Sequence, residues 1–363
     1  MLFYFSILIL FAFFSFVELF TKQRSISGYL YFLSCTFLFL LSFLRWETGT
    51  DWKNYQIYFE TILNRSFEND SFEVGFRIMN YLVRFFSDNY TFLLLFSGAI
   101  LFIFQTKAIL NLSLYPMTSL TFLYGIQLGN ILFVRQWIAI AILFYSIKFI
   151  RNNRFLGFLS LVLIATTIHR SAILFVFAWW LFRSNISFKR MLIILSLSLV
   201  FSYLTHHLLS SFLGSLGGAV IQHKLDTYLS DSYNEGLNKE INFTFILIKG
   251  VANKLLVLLG AMYIYWKFKD KDRFFRGLIN IYWFGCLIYF IMISISLALV
   301  RFSYAFDIMQ IILITYIFFH FKRIKNRGIV FVIFLGYVSL RLLTFLNSAY
   351  QEEIVPYKYI SIF

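Results

Sequence analysis

Apolar residues fill the chain in long runs, and the breaks between them are short, polar and mostly basic. A helix needs roughly 20 such residues to cross about 30 Å of hydrocarbon. By length and spacing the pattern predicts helices at 2–20, 28–44, 91–110, 117–131, 135–150, 155–168, 171–183, 191–210, 241–266, 278–300, 302–320 and 329–347, about twelve in all. The stretches 117–131, 155–168 and 171–183 are short, so they are expected to be tilted, broken or only partly spanning. The expected fold is an all-α polytopic membrane protein, one transmembrane domain over 1–363, without internal repeat or low-complexity tail.

Composition rules out a soluble fold. The 363 residues are 60% hydrophobic and only 13% charged, too little charge to cover a globular exterior of that size. A formal net charge of +15 could point to nucleic acid, but the basic residues are dispersed rather than gathered on one soluble face. They sit in TKQRS (21–25), RNNR (151–154), FKR (188–190), KFKDKDRFFR (267–276) and FKRIKNR (321–327), each between apolar runs. The positive-inside tendency assigns those segments to the cytoplasm and the N-terminus to the outside. Met1 leads directly into apolar sequence, so no cleavable signal peptide is expected. Were 117–150 one continuous helix, the later basic loops would all fall outside, so a break is expected there. Cys35 and Cys286 lie within apolar helices, which provides neither a disulfide framework nor metal-ligand spacing.

The other face receives 45–90, 205–240 and 348–363, where acidic residues collect. Within the first, FEVGFRIMNYLVRFF (72–86) sets Phe76, Met79, Tyr81, Val83 and Phe86 on one side and Arg77 and Arg84 on another. That amphipathic segment is expected to lie along the bilayer surface. The second contains SFLGSLGG, a hinge, and then YLSDSYNEGLNKE, a polar and flexible loop.

Ionisable groups at helix ends on that outer side carry the candidate chemistry. Arg45 closes the second helix, Arg135 with Gln136 opens the fifth, His169 and Arg170 interrupt the turn between the sixth and seventh, and Arg301 separates the tenth and eleventh. Singly, each has an ordinary explanation: a terminal Arg snorkels to lipid phosphate, as Arg170 is taken to do, and a boundary His makes a structural hydrogen bond. Together, on the side that the positive-inside tendency disfavours, they call for an anionic partner. Guanidinium forks suit phosphate or pyrophosphate, being planar, bidentate and charged when desolvated. Lys249 and Lys254 add cations inside the ninth helix, with Asn253 on the face of Lys249, and Asp307 is placed to neutralise one of them.

The stretch LRWETGTDWKNYQIYFE (44–60) forms the lip of this region. Trp46, Trp52, Tyr55 and Tyr58 offer flat faces suited both to sugar rings and to the interfacial aromatic belt. Glu47 and Asp51 are placed to accept hydrogen bonds from sugar hydroxyls, and Gly49 lets the backbone turn between Thr48 and Thr50.

In order along the chain, R-x-x-x-G-T-D-W-x-x-Y (Arg45–Tyr55), F-E-V-G-F-R-I-M-N-Y (72–81), R-Q-W-I-A-I-A-I (135–142), I-H-R-S-A-I-L (168–174), R-F-S-Y (301–304) and Pro356-Tyr357 resemble the EpsG-like branch of Wzy-type O-antigen and capsule polysaccharide polymerases. The resemblance implies a multi-pass glycosyltransferase of the bacterial plasma membrane. Its site would face the periplasm or outside and act on undecaprenyl-pyrophosphate-linked oligosaccharides as donor and acceptor. Membrane lipids are the other expected partners, with a chain-length regulator a further one; no nucleic acid, cofactor or metal is expected.

In that chemistry Arg135 and Arg301, then Arg45, would stabilise the departing diphosphate. The base would be His169, whose ordinary pKa of about 6.5 suits the task, with Asp51 as competitor and Glu73 behind both. Gly49, Thr50, Trp52, Tyr55, Glu47, Glu73, Gln136, Ser171, Lys249, Lys254 and Tyr304 would bind substrate. Direct displacement would invert the anomeric centre. The rival readings are a flippase for the same lipid-linked sugars, and an O-antigen ligase or membrane acyltransferase.

Overall fold

The computed structural model describes residues 1–21, 23–64, 72–132, 134–216, 243–268, 272–295, 299–321, 324–348 and 351–360. Helices follow one another in the order α1 (Leu2–Phe20), α2 (Arg24–Leu44), α3 (Trp52–Thr61), α4 (Val74–Phe86), α5 (Tyr90–Leu112), α6 (Pro116–Gln127), α7 (Arg135–Arg151), α8 (Phe155–Ile168), α9 (Ala178–Arg183) and α10 (Phe188–Leu216). Helices Phe243–Lys267, Arg273–Met292, Gln310–His320 and Ile324–Leu346 follow, with two four-residue helices, Tyr304–Asp307 and Gln351–Ile354. The chain divides into two compact units, Met1–Ile173 with Ile314–Phe363, and Leu174–Leu313.

Among the described residues, eight helical stretches are long and apolar enough to cross a membrane: Leu2–Phe20, Arg24–Leu44, Tyr90–Leu112, Phe188–Thr205, Leu247–Lys267, Arg273–Met292, Leu299–His320 and Asn326–Leu346. The expectation of about twelve also counted α6, α7, α8 and 171–183. The first three are helical but short, and 171–183 is a 3-10 turn over Arg170–Phe177 that runs into the six-residue α9. A 3-10 turn rises faster per residue than an α-helix and rarely persists, so this segment joins helices rather than forming a full span of its own.

In the first unit the expected break within 117–150 falls after Gln127. Leu128, Gly129 and Asn130 all take positive φ (51, 64 and 71°) and reverse the chain. Backbone groups freed inside an apolar bundle need partners. Gln105 supplies one, donating to the Gly129 carbonyl at 3.4 Å while accepting from Asn130 Nδ2 at 2.6 Å. At one end of this unit α1 stops where α6 starts. Pro116 opens α6, and the Glu18 carboxylate accepts from the backbone N–H groups of Met117 (2.8 Å) and Thr118 (2.7 Å), satisfying helix-terminal donors. Arg327 donates to the Leu19 carbonyl at 2.8 Å, and Arg151, closing α7, donates to the Asn111 carbonyl near the end of α5.

The opposite end holds the end of α2, the starts of α5 and α7 and the end of α8. The C-terminal segment also lies there. Tyr4 near the start of α1 donates to the Ile354 carbonyl at 2.6 Å. Trp46 N–H donates to Lys358 O at 3.0 Å and Ile360 N–H to Leu44 O at 2.9 Å, a short two-stranded bridge.

The amphipathic segment of the 45–90 loop is α4. It buries Phe76, Met79, Asn80 and Val83, and buries Arg77 as well rather than turning it outward. Val74, Ile78, Leu82, Phe85 and Phe86 form an exposed apolar stripe on its other side. Trp52–Thr61 is a further helix, α3, which the periodicity did not single out.

In the second unit, α10 continues to Leu216, beyond the expected 191–210. Residues 205–216 of the expected 205–240 loop are therefore helical, and 217–240 lie outside the described residues. Helix Arg273–Met292 is the core of this unit, burying Phe275, Leu278, Tyr282, Cys286 and Phe290. Asn280, also buried, donates to the carbonyls of Leu181 (3.0 Å) and Ser184 (2.8 Å) and so ends α9. The expected 302–320 helix is broken: a 3-10 turn over Leu299–Ser303 and the short helix Tyr304–Asp307 precede Gln310–His320.

Candidate functional site

Arg45 stands where α2 ends, in extended backbone (φ −64°, ψ 142°). Its side chain turns into the protein and is 2% exposed, and neither Nε nor Nη1 has a hydrogen-bond partner. Burial lowers its pKa, opposed by the nearby Tyr90, Tyr357, Asp51 and Tyr55. The loop that follows wraps around this head group. Gly49, at φ +110°, accounts for that wrapping: a Cβ there would meet Arg45 Nη1 at 3.4 Å and the Leu132 carbonyl oxygen at 3.2 Å. The C-terminal segment closes the other side. Gly49 N–H donates to Glu353 O at 2.8 Å, Tyr357 donates to Leu41 O at 2.6 Å, and Thr48 Oγ1 donates to Lys358 O at 3.3 Å. Outside the spans, burial pushes the Tyr357 phenol up to about 12 against the opposing pull of Arg45. Burial, and then Asp51, also raises the Glu353 carboxyl.

Trp52 and Tyr55, expected at an open lip, are buried instead. Trp52 packs edge-on against Trp46 (4.8 Å between centroids) and Tyr90 (5.2 Å). Tyr55 packs on Phe76 (5.3 Å) and Phe72 (6.0 Å). In the loop 45–51, Glu47, Thr50 and Asp51 are exposed, with Glu47 3.9 Å from Lys358 Nζ.

The same two phenylalanines carry Arg135. Its guanidinium lies 4.7 Å from the Phe72 ring centroid and 5.9 Å from that of Phe76, a cation–π arrangement. Tyr55 thus touches both the Arg45 surroundings and the aromatic seat of Arg135. Arg135 Nη1 donates to Glu73 Oε2 at 2.9 Å. The other carboxylate oxygen, Glu73 Oε1, accepts the backbone N–H of Arg170 at 3.2 Å. His169, half-buried, is the preceding residue, and its Nδ1 lies 2.8 Å from Ser171 Oγ. Glu73 and Gly75 both open α4, and Gly75 has no room for a side chain: a Cβ would stand 2.8 Å from the Thr167 carbonyl oxygen. The end of α8 and the start of α4 are thereby pressed together around His169. Gln136 is half-buried in the first turn of α7.

In the second unit Lys254 Nζ donates to Asp307 Oδ2 at 2.5 Å, and Ser303 Oγ donates to the same oxygen at 2.7 Å. The ammonium also sits 4.3 Å from the Tyr289 ring centroid. Of the two ways to neutralise a membrane lysine that the sequence offered, the pairing falls on Lys254. Arg301 is exposed on the 3-10 turn that carries Ser303, Tyr304 is half-buried just after it, and Lys249 is exposed.

The first unit therefore brings Arg45, Gly49, Asp51, Trp52, Tyr55, Glu73, Arg135, His169 and Ser171 to one end. Arg301, Tyr304, Lys249 and Lys254 belong to the second. Sequence reasoning passed over Tyr90, Phe72, Gly75, Ser303 and Glu353. Gly75 and Phe72 flank a recognised acidic residue in FEVGF, a signal that could have been used. Tyr90 and Glu353 carry no local signal, because their roles arise only from contacts across the fold.

Eight helical stretches among the described residues that are long and apolar enough to cross a membrane define a multi-pass membrane protein. Residues 28–359, nearly the whole chain, match the EpsG family, and the protein belongs to it. EpsG-like proteins are Wzy-type polymerase-like membrane proteins of polysaccharide biosynthesis. No curated protein and no solved structure matches the chain.

Proposed function

We propose that this protein is a polysaccharide polymerase of the O-antigen or capsule type. It transfers a growing glycan from undecaprenyl pyrophosphate to the distal sugar of a second lipid-linked repeat unit. The observation that carries the reading is the Arg135–Glu73–Arg170 connection, which joins a guanidinium to the turn bearing a histidine within a family of polymerase-like proteins.

The acceptor hydroxyl oxygen attacks the anomeric carbon of the donor. Its proton passes to His169, the new glycosidic bond forms, and the bond from the anomeric carbon to the diphosphate oxygen breaks with its electron pair. Pyrophosphate is a good leaving group, so the main requirement is stabilisation of developing negative charge. Arg135 presents a planar guanidinium fork to that charge. Glu73 engages its Nη1, leaving other N–H groups of the fork for the departing diphosphate. Arg45, enclosed by its loop and the C-terminal segment, contributes a fixed positive charge. Ser171 Oγ holds His169 Nδ1; with Nδ1 protonated toward Ser171, Nε2 is the basic nitrogen. Asp51, exposed above Arg45, is the competing base.

The membrane is the bacterial plasma membrane and the site faces outward. Supporting this placement, Arg151 and Arg327 lie at the opposite end of the first unit, where the positive-inside tendency puts the cytoplasm.

The test is complementation of a deletion strain with His169→Ala or Arg135→Ala at wild-type membrane abundance. Single repeat units at the surface with no polymer are expected. Polymer retained on the carrier lipid would instead indicate ligation, absence of any repeat outside would indicate flipping, and normal long chains would remove both residues from the mechanism.

A further inference from the structure

Glu73 occupies the N-cap position of α4, yet its side chain does not cap that helix. Both carboxylate oxygens are instead spent on distant parts of the chain: Oε2 on Arg135 Nη1 and Oε1 on the Arg170 backbone N–H. The start of α4, the first residue of α7 and the turn after α8 thus meet at one side chain. Two residues on, Gly75 fits against the Thr167 backbone. Thr167 and Arg170 bracket His169, so the Glu-x-Gly pair of FEVGF grips the histidine turn on both sides.

We infer that Glu73 is a positioning residue: it fixes the Arg135 guanidinium relative to the His169 imidazole and neither binds sugar nor serves as the base. The inference rests on the polymerase reading of the same site. A carboxylate whose two oxygens already accept hydrogen bonds is poorly placed to take a proton from an incoming hydroxyl. Its charge matches a guanidinium on one side, and its second oxygen meets an amide that has no other helix partner at the start of a 3-10 turn. Displacing reacting groups by about 1 Å costs on the order of 100-fold in rate. A clamp of this kind is therefore worth as much to the reaction as a group that touches substrate.

Two readouts on purified, full-length protein test this, using lipid-linked repeat units extracted from the host as substrate. In the first, Glu73→Gln, which keeps one acceptor oxygen and loses the charge, is expected to lower polymer formation by about 100-fold without moving the acid limb of the pH–rate profile. Glu73→Asp, which keeps the charge on a shorter arm, should recover part of the rate. Loss of that acid limb in Glu73→Gln would make Glu73 the base and overturn the inference. So would a wild-type rate in Glu73→Gln while Arg135→Ala and His169→Ala are inactive.

In the second, hydrogen exchange at the Arg170 amide is expected to accelerate in Glu73→Gln and less so in Glu73→Asp. This readout needs no activity. If the wild-type protein forms no polymer, the polymerase reading fails, and if Arg135→Ala and His169→Ala both polymerise normally, those two residues leave the mechanism; in either case the exchange result alone decides whether the clamp exists, and unchanged exchange overturns it.

Discussion

Lys254 and Asp307 face each other at 2.5 Å inside the second unit, with Ser303 donating to the same carboxylate oxygen at 2.7 Å and Gly285 packed so closely that a Cβ there would meet Asp307 Oδ1 at 2.9 Å. Desolvating two charges is costly, and the pair endures because the geometry is tight and a third group shares the load. Such a pair is hard to break from one side only. Asp307→Ala or Lys254→Ala is expected to destabilise the protein by about 3–5 kcal/mol, because each leaves a buried charge alone. Replacing both together with Leu and Met should recover most of that loss. Thermal unfolding in detergent of the two single variants and the double variant checks it; equal loss in all three would show that the pair is not what matters.

Gly75 makes a narrower prediction. With Thr167 main-chain atoms 2.8 and 2.9 Å from where a Cβ would stand, Gly75→Ala has nowhere to go but to push α4 away from the end of α8. Overpacking of this kind costs about 1–3 kcal/mol, but the larger consequence falls on the histidine turn. Chain elongation should drop by an order of magnitude or more while membrane abundance stays close to normal. Polymer length on gels, beside immunoblots of the membrane fraction, measures both.

The C-terminal segment carries a pH dependence. Burial, and then Asp51, raises the Glu353 carboxyl above its ordinary 4.5 when the segment is docked. The docked form therefore binds a proton more tightly than the released form. Docking is strengthened fully below pH 4.5, and that extra strength is lost as pH rises through the docked value. Protection of the Gly49 amide, which donates to the Glu353 carbonyl, should increase on acidification through this window. Glu353→Gln should flatten the response, and an identical response in that variant would assign it to another group.

Much of the fold was legible because it is written in hydropathy. α1, α2, α5 and the helix Ile324–Leu346 are long, largely apolar runs. The short members were harder. At 117–131 the apolar run also carries Thr118, Ser119, Thr121, Gln127 and Asn130, and the chain breaks at Leu128–Asn130, where Gln105, on another helix, satisfies the freed backbone. No periodicity within the run records that. At 171–183 the same ambiguity hides a 3-10 turn. Candidate site residues were legible wherever a charge interrupts an apolar stretch, as Arg45, Arg135 and His169 do. What they touch was not. Trp52 and Tyr55 read as a sugar-stacking lip, but Tyr90 and Phe76, remote in sequence, draw them inside. Arg45 reads as a group that stabilises the departing diphosphate, but the C-terminal segment folds over it.

Because guanidinium groups supply the positive charge in the proposed scheme, polymerisation by purified protein is expected to continue in EDTA. The measurement is polymer yield across a chelator titration, with the metal content of the preparation checked beforehand. Activity that falls with chelator and returns with one added divalent cation would assign the diphosphate to a metal ion instead of to Arg135.

The central claim is that Arg135 meets the diphosphate of a lipid-linked glycan, and reconstitution tests it most directly. Wild-type protein, Arg135→Lys and Arg135→Ala would be placed in liposomes with undecaprenyl-pyrophosphate-linked repeat units, and product length followed with time. Long chains are expected from wild type, a slow ladder from Arg135→Lys, which keeps the charge but loses the fork, and unextended repeats from Arg135→Ala. Long chains at the wild-type rate from Arg135→Ala would contradict it.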